Sequence, residues 1–168
     1  DAILAYRTAY DQNKNTKQAI SLYSAYVQSG SIAKALEFVQ SWARSKPADL
    51  TAQRTLAEAY GRAGKLAESQ QLYETLSKKL PNDAFILNDL TYVMLQRGDP
   101  GALGVAQKAY QLAPTDASVL DNLGWALVQA GQTEKGLRYL REAQVRVPNS
   151  PEIRGHLDEA LKRLGRKR

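Results

Sequence analysis

The chain contains no cysteine, which excludes disulfides and thiolate metal sites and is compatible with either a reducing or an oxidising compartment. Histidine is almost as scarce. His156 has no second His to share a metal and no Cys or Ser pattern to activate, so it is expected to be solvated or capping. Acidic neighbours such as Asp158 and Glu159, or Asp89 and Asp121, fall at no convincing catalytic spacing, and a G-x-x-x-x-G-K phosphate loop is missing. The expectation is therefore a non-enzyme with no cofactor and no metal. No run approaches the roughly 18 consecutive apolar residues of a membrane span, and no basic-then-apolar leader is visible at Asp1.

Charge of one sign is also scarcer than it first looks. The formal net charge is +6, but Lys162, Arg163, Arg166, Lys167 and Arg168 supply five of those charges, leaving +1 for residues 1–161. The body of the chain lacks the basic excess that a nucleic-acid binder needs. With 43% hydrophobic and 24% charged residues the composition is that of a chain that buries a core.

What is present in quantity is repetition. Leucines fall at Leu22, Leu56, Leu90, Leu123 and Leu157, and glycines at Gly30, Gly64, Gly98, Gly131 and Gly165, both stepping by 34, 34, 33 and 34. Prolines Pro47, Pro81, Pro114 and Pro148 keep the same beat and place the missing residue between Gly98 and Pro114. Full repeats are read at 16–49, 50–83, 84–116 (33 residues, a shortened turn) and 117–150.

Within a repeat the apolar period is helical, as with Leu56, Tyr60 and Ala63, then Leu72, Tyr73, Leu76 and Leu80. Each repeat reads as a helical hairpin. The glycine ends the first helix by taking φ > 0, the proline stops the second, and Asp49, Asp83, Asp116 or Ser150 caps the next. Ala35, Ser69, Ala102 and Gly136 mark where two helices cross too closely for a larger side chain. Asp99-Pro100 is read as an N-cap followed by proline in the first turn.

These features resemble the tetratricopeptide repeat family, with Asn122-Leu123-Gly124, Leu127, Gly131, Gly136, Leu140, Ala143 and Pro148 at the family's spacing over roughly residues 16–165. The family's early Trp is replaced by Ala19, Gln53, Leu87 and Leu120, and Tyr23 stands where it has Gly or Ala. The resemblance implies an all-α fold, a right-handed α-solenoid of antiparallel helix hairpins. Ala109-Tyr110-Gln111-Leu112-Ala113-Pro114, Leu123-Gly124-Trp125 and Pro151-Glu152-Ile153-Arg154 also resemble the repeat lipoproteins of bacterial PEP-CTERM/exosortase systems. That resemblance implies a protein of the cell envelope, lipid-anchored outside this fragment and tied to protein sorting and exopolysaccharide production; without it a cytoplasmic location is expected.

The ends are incomplete repeats. Residues 1–15, through Ile3, Leu4 and Tyr10, read as the second helix of a truncated upstream repeat, and the absence of an initiator Met suggests a piece of a longer array. Residues 151–164 place Ile153, Leu157, Ala160, Leu161 and Leu164 on one face, as a capping helix or the first helix of a fifth repeat; 165–168 form a basic tail. Asp158 favours a cap, because burying its carboxylate in a further hairpin would be costly, whereas Gly165 at its turn position favours another hairpin.

Stacked hairpins line a concave wall with their first helices, so partner contacts are expected at the second, fifth, ninth, twelfth and thirteenth residues of each repeat. The second repeat offers Thr51, Arg54, Glu58, Gly61 and Arg62. The third offers Phe85, Asn88, Tyr92, Leu95 and Gln96, and the fourth Ser118, Asp121, Trp125, Val128 and Gln129. Aromatic anchors and amides there suit a peptide or helix, and Arg54 and Arg62 suit carboxylates. The competing reading packs Phe85, Tyr92 and Trp125 between adjacent first helices and solvates the arginines. Ile20, Ser24 and Asp121 do not reproduce the Lys/Asn clamp with which some family members hold acidic C-termini. The expected function is a non-catalytic protein- or peptide-binding scaffold. The alternatives are a nucleic-acid-binding helical repeat, or the docking arm of an enzyme whose catalytic domain lies elsewhere in the parent chain.

Overall fold

The computed structural model describes residues 2–165; the last part of the basic tail, 166–168, lies outside the described residues. Every regular element among them is a helix. In chain order these are α1 (Ala2–Asn13), α2 (Thr16–Gln28), α3 (Ile32–Ser45), α4 (Leu50–Arg62), α5 (Leu66–Lys79), α6 (Ala84–Gln96), α7 (Ala102–Leu112), α8 (Ala117–Gln129), α9 (Thr133–Arg146) and α10 (Pro151–Gly165). They form two compact bodies, one up to Leu76 and one from Ser77. No described helix is long and apolar enough to cross a membrane.

The helices start where side chains satisfy their first N–H groups. Asp49 accepts from the amides of Thr51 and Ala52, Asp83 from Phe85 and Ile86, and Asp116 from Ser118 and Val119 at 2.9 and 3.1 Å. Ser150 does the same for Ile153, and Asn15 for Gln18 at the head of α2. Hairpin turns bend at glycine: Gly131 has φ +79°, where a side chain would strain the backbone.

Within a hairpin the helices meet at small residues. A Cβ on Gly136 of α9 would lie 2.5 Å from the Gly124 carbonyl oxygen and 2.7 Å from Val128 Cγ2, and one on Gly124 would meet Leu140 Cγ at 2.8 Å. Leu120, Val128, Leu137 and Leu140 interlock beside this crossing, and Ile153, Leu157 and Ala160 of α10 complete the same core. Each fully buried leucine there contributes about 2 kcal/mol. In the first body the equivalent residue is Ser69, fully buried, whose hydroxyl donates to the Ala57 carbonyl at 2.7 Å. Trp42, Val39 and Leu22 centre that body's core.

Three local expectations need correction. α7 begins at Ala102, not at Pro100; Asp99 instead accepts from the Gly101 amide at 2.8 Å, closing a turn that contains the proline. Leu4 is 63% exposed, because Ile3 and Tyr10 provide the contact of α1 with the core of the first body, Tyr10 edge-on to Phe38 at 5.0 Å. Leu161 is also exposed, lying one position beyond the stripe Ile153, Leu157, Ala160 and Leu164 that docks α10.

Gly136→Ala is expected to destabilise the protein by about 1–3 kcal/mol, because backbone must move to admit the methyl group. Gly155→Ala meets nothing within 4 Å and is expected to stabilise by about 0.5–1 kcal/mol through helix propensity. Urea unfolding followed by helical circular dichroism measures both. At the α8 cap, hydrogen bonds from Ser118 and from the Val119 and Ser118 amides hold the Asp116 carboxyl below the ordinary aspartate value against its partial burial. The stabilisation is therefore present above the unfolded-state pKa and lost as pH falls through the lower folded one. Asp116→Ala should cost about 1 kcal/mol near neutral pH, and the difference from wild type should shrink on acidification.

Candidate partner-binding surface

The expected contact positions separate by environment once α4, α6 and α8 are in place. In the first body, α4 presents Arg54, Glu58 and Arg62 one turn apart. Arg54 and Arg62 are exposed, and Arg62 Nε donates to Glu58 Oε1 at 2.8 Å. Tyr23 of α2, 5% exposed, packs against this pair; burial pushes its phenol above the ordinary tyrosine value, and the Glu58 charge adds to it. Tyr23 thus remains a neutral phenol, and Arg62 already has a carboxylate.

In the second body, α6 and α8 run side by side and share a ladder of polar contacts. Asn88 is buried: its amide donates to Ser118 Oγ at 3.2 Å, and its Oδ1 accepts from Asn122 Nδ2 at 2.9 Å. Gln129 Nε2 donates to the Leu95 carbonyl at 3.4 Å. The amides of Asn88 and Gln129, expected to bind a partner's peptide groups, are thus engaged within the protein. Leu95 and Val128, also expected on the wall, are 6% and 2% exposed and belong to the core. The twelfth position of a repeat points into its own hairpin, as the contact of Val128 with Gly136 requires.

Asp121 and Trp125 are covered by α10. The Asp121 carboxylate, with the residue 4% exposed, lies 2.9 and 3.0 Å through its two oxygens from His156 Nδ1. The imidazole stacks on the Trp125 indole, with centroids 4.6 Å apart and planes 10° from parallel. Arg163, bonded to Glu159 at 3.0 Å, sets its guanidinium 5.0 Å from the same indole. His156 is therefore not a solvated residue: it joins α10 to α8, and Trp125 packs between adjacent first helices. Tyr92 and Gln96 of α6 remain on the surface, Tyr92 42% exposed. Phe85, a wall position that the competing reading packs between helices, is 56% exposed beside a shallow apolar depression formed by Leu80, Pro81 and Leu112.

A tetratricopeptide repeat family model matches residues 118–150, spanning α8, the glycine turn and α9. The chain carries tetratricopeptide repeats. It is 30% identical over 130 residues to the TPR repeat-containing protein PA4667 of Pseudomonas aeruginosa, an alignment covering 75% of this chain and 22% of that protein. Among solved structures, TTC0263, a thermophilic TPR protein of Thermus thermophilus, superposes with TM-score 0.76 at 17% identity, over 95% of this chain and 88% of that one. A chain of the APC/C hetero-tetramer Cut9-Hcn1 gives TM-score 0.83 at 16% identity, over 96% of this chain and 33% of that one. At these identities the structures agree in fold.

Sequence reasoning missed the Asp121–His156–Trp125 cluster, although a signal was there. His156 lies 35 residues after Asp121, at nearly the same place in the next repeat, and first helices of successive repeats pack together. If this cluster holds α10, Trp125→Ala should lower stability by about 2 kcal/mol, while Tyr92→Ala should change it by less than about 0.5 kcal/mol. Equilibrium unfolding of the two variants distinguishes them.

Proposed function

We propose that the chain is a non-catalytic scaffold that binds a protein or peptide on the exposed faces of its first helices, with Tyr92 as the principal anchor in the second body. The observation that carries this reading is the division within α6. Asn88 and Leu95 are drawn into the packing, while Tyr92, a large side chain with an apolar ring and a polar tip, stays on the surface with Gln96 one turn away. A tyrosine placed so supplies contact area at low entropic cost when a partner covers it. In the first body Arg54, on the exposed face of α4, supports a preference for acidic residues in the partner. The tetratricopeptide fold supports a protein partner, and the Cut9-Hcn1 hetero-tetramer has such a chain inside an assembly of different proteins.

The test uses a peptide array screened with the purified chain, followed by titration of a selected sequence. Tyr92→Ala is expected to weaken binding about tenfold, equivalent to about 1.4 kcal/mol, with helicity unchanged. Equal affinity for wild type and Tyr92→Ala would remove the site from this face. The envelope role implied by the resemblance at Ala109–Pro114 and Pro151–Arg154 extends the reading to a partner in protein sorting. Recovery of the full-length protein in the membrane fraction of the source cell is the expected outcome.

A further inference from the structure

We propose that Asp121, Glu152 and His156 form a binding site for a Zn²⁺-class divalent transition-metal ion between α8 and α10. Glu152 and His156 are four residues apart on α10 and so project from one face of that helix, and Asp121 reaches them from α8. One ligand atom from each residue lies within 4.8 Å of the other two, which makes a set of one imidazole nitrogen and two carboxylate oxygens. The mixture suits Zn²⁺ and its transition-metal neighbours, whereas Ca²⁺ prefers six or more oxygens and Mg²⁺ an octahedron rich in water.

Two features beyond proximity point to a cation. The Asp121 residue is 4% exposed, and its carboxylate offers two oxygens with about four lone-pair sites to the single nitrogen His156 Nδ1. An ion bound there would replace the Nδ1 proton, released to solvent, and would also reach the lone pairs that one N–H leaves over. The ligand spacing also fits. Donors about 2.0–2.2 Å from a tetrahedral ion stand about 3.3 Å from one another, and the Asp121 oxygens stand 2.9 and 3.0 Å from His156 Nδ1. Two of the three ligands are therefore nearly in place. The stack on Trp125 fixes the imidazole plane, as supporting contacts do around metal-bound histidines. Glu152 is exposed and swings in by rotation about its own side-chain bonds, leaving a fourth position for water. Arg163, which shares the Trp125 indole with His156, is turned to that ring and to Glu159.

The experiment titrates the tag-free chain with ZnCl₂ by isothermal calorimetry and records thermal unfolding with and without Zn²⁺, with MgCl₂ and CaCl₂ as controls. One Zn²⁺ per chain is expected, with a rise in Tm that Mg²⁺ and Ca²⁺ do not produce. Glu152→Gln is the deciding variant, because its exposed side chain lies outside the core and the unliganded protein should melt as wild type does. It is expected to bind Zn²⁺ at least about tenfold more weakly, as loss of one ligand implies, and to lose most of the Tm rise. Absence of a Zn²⁺-dependent heat or Tm shift in the wild type overturns the proposal. So does a Glu152→Gln variant that binds as tightly as wild type, since Glu152 would then not be a ligand and the three-residue site would not exist.

Discussion

The distance between two helices of a hairpin is the constraint from which the other contacts follow. At the α8–α9 crossing, backbone meets backbone, and neither Gly124 nor Gly136 has room for a methyl group. Closeness there lets Leu120, Val128, Leu137 and Leu140 interlock on either side. The first body meets the same constraint with different chemistry. Ser69 brings a hydroxyl into a fully buried place, and the Ala57 carbonyl accepts its proton, so the small residue is polar without leaving a donor unpaired. A hairpin wider by one methylene at either crossing would leave its leucines with gaps that close packing does not tolerate.

Successive hairpins in the second body are then registered by polar groups one period apart. Asn122 reaches both the side chain and the carbonyl of Asn88, and Gln129 reaches the Leu95 carbonyl, each spanning 34 residues. Apolar side chains alone would accept several sliding positions of α8 on α6. The amides do not, since a slip of one residue would leave a buried polar group without its partner at about 1–3 kcal/mol. α10 repeats the arrangement on α8 with a histidine–carboxylate pair in place of an amide pair. His156 and Asp121 therefore belong to the joint between repeats.

Helix ends and turns could be read from the sequence because their causes are local. Asp49, Asp83 and Asp116 cap within three residues of themselves, and Gly131 needs only its own φ. The surface was less legible because the environment of a position on a first helix depends on what lies across from it. Trp125 and Tyr92 occupy the same place in successive repeats, yet α10 partly covers Trp125 while Tyr92 stays exposed. Counting along the helix places Val128 and Leu95 on the wall. Both are buried instead, and Val128 meets the close crossing with α9 at Gly136. The Asp99-Pro100 turn shows the same limit on a smaller scale: the capping residue is visible in the sequence, but the helix starts two residues after the proline, at the buried Ala102.

Residue type therefore does not separate binding positions from structural ones in this chain; competition for each side chain's partners does. An arginine already paired with Glu58 must give up that contact to hold a ligand carboxylate, and a buried Asn88 must break two hydrogen bonds to receive a peptide. Each exchange offsets most of what the new contact supplies. Tyr92 has more to gain, because much of its area is still in water and covering it releases that water. The joint at Asp121 and His156 differs in kind. There, one buried carboxylate shares one nitrogen, and an ion bound between them takes the place of the shared proton, so that both groups stay engaged. The two places thus favour opposite ligands: a large, weakly hydrated surface at Tyr92, and a small, concentrated charge between α8 and α10.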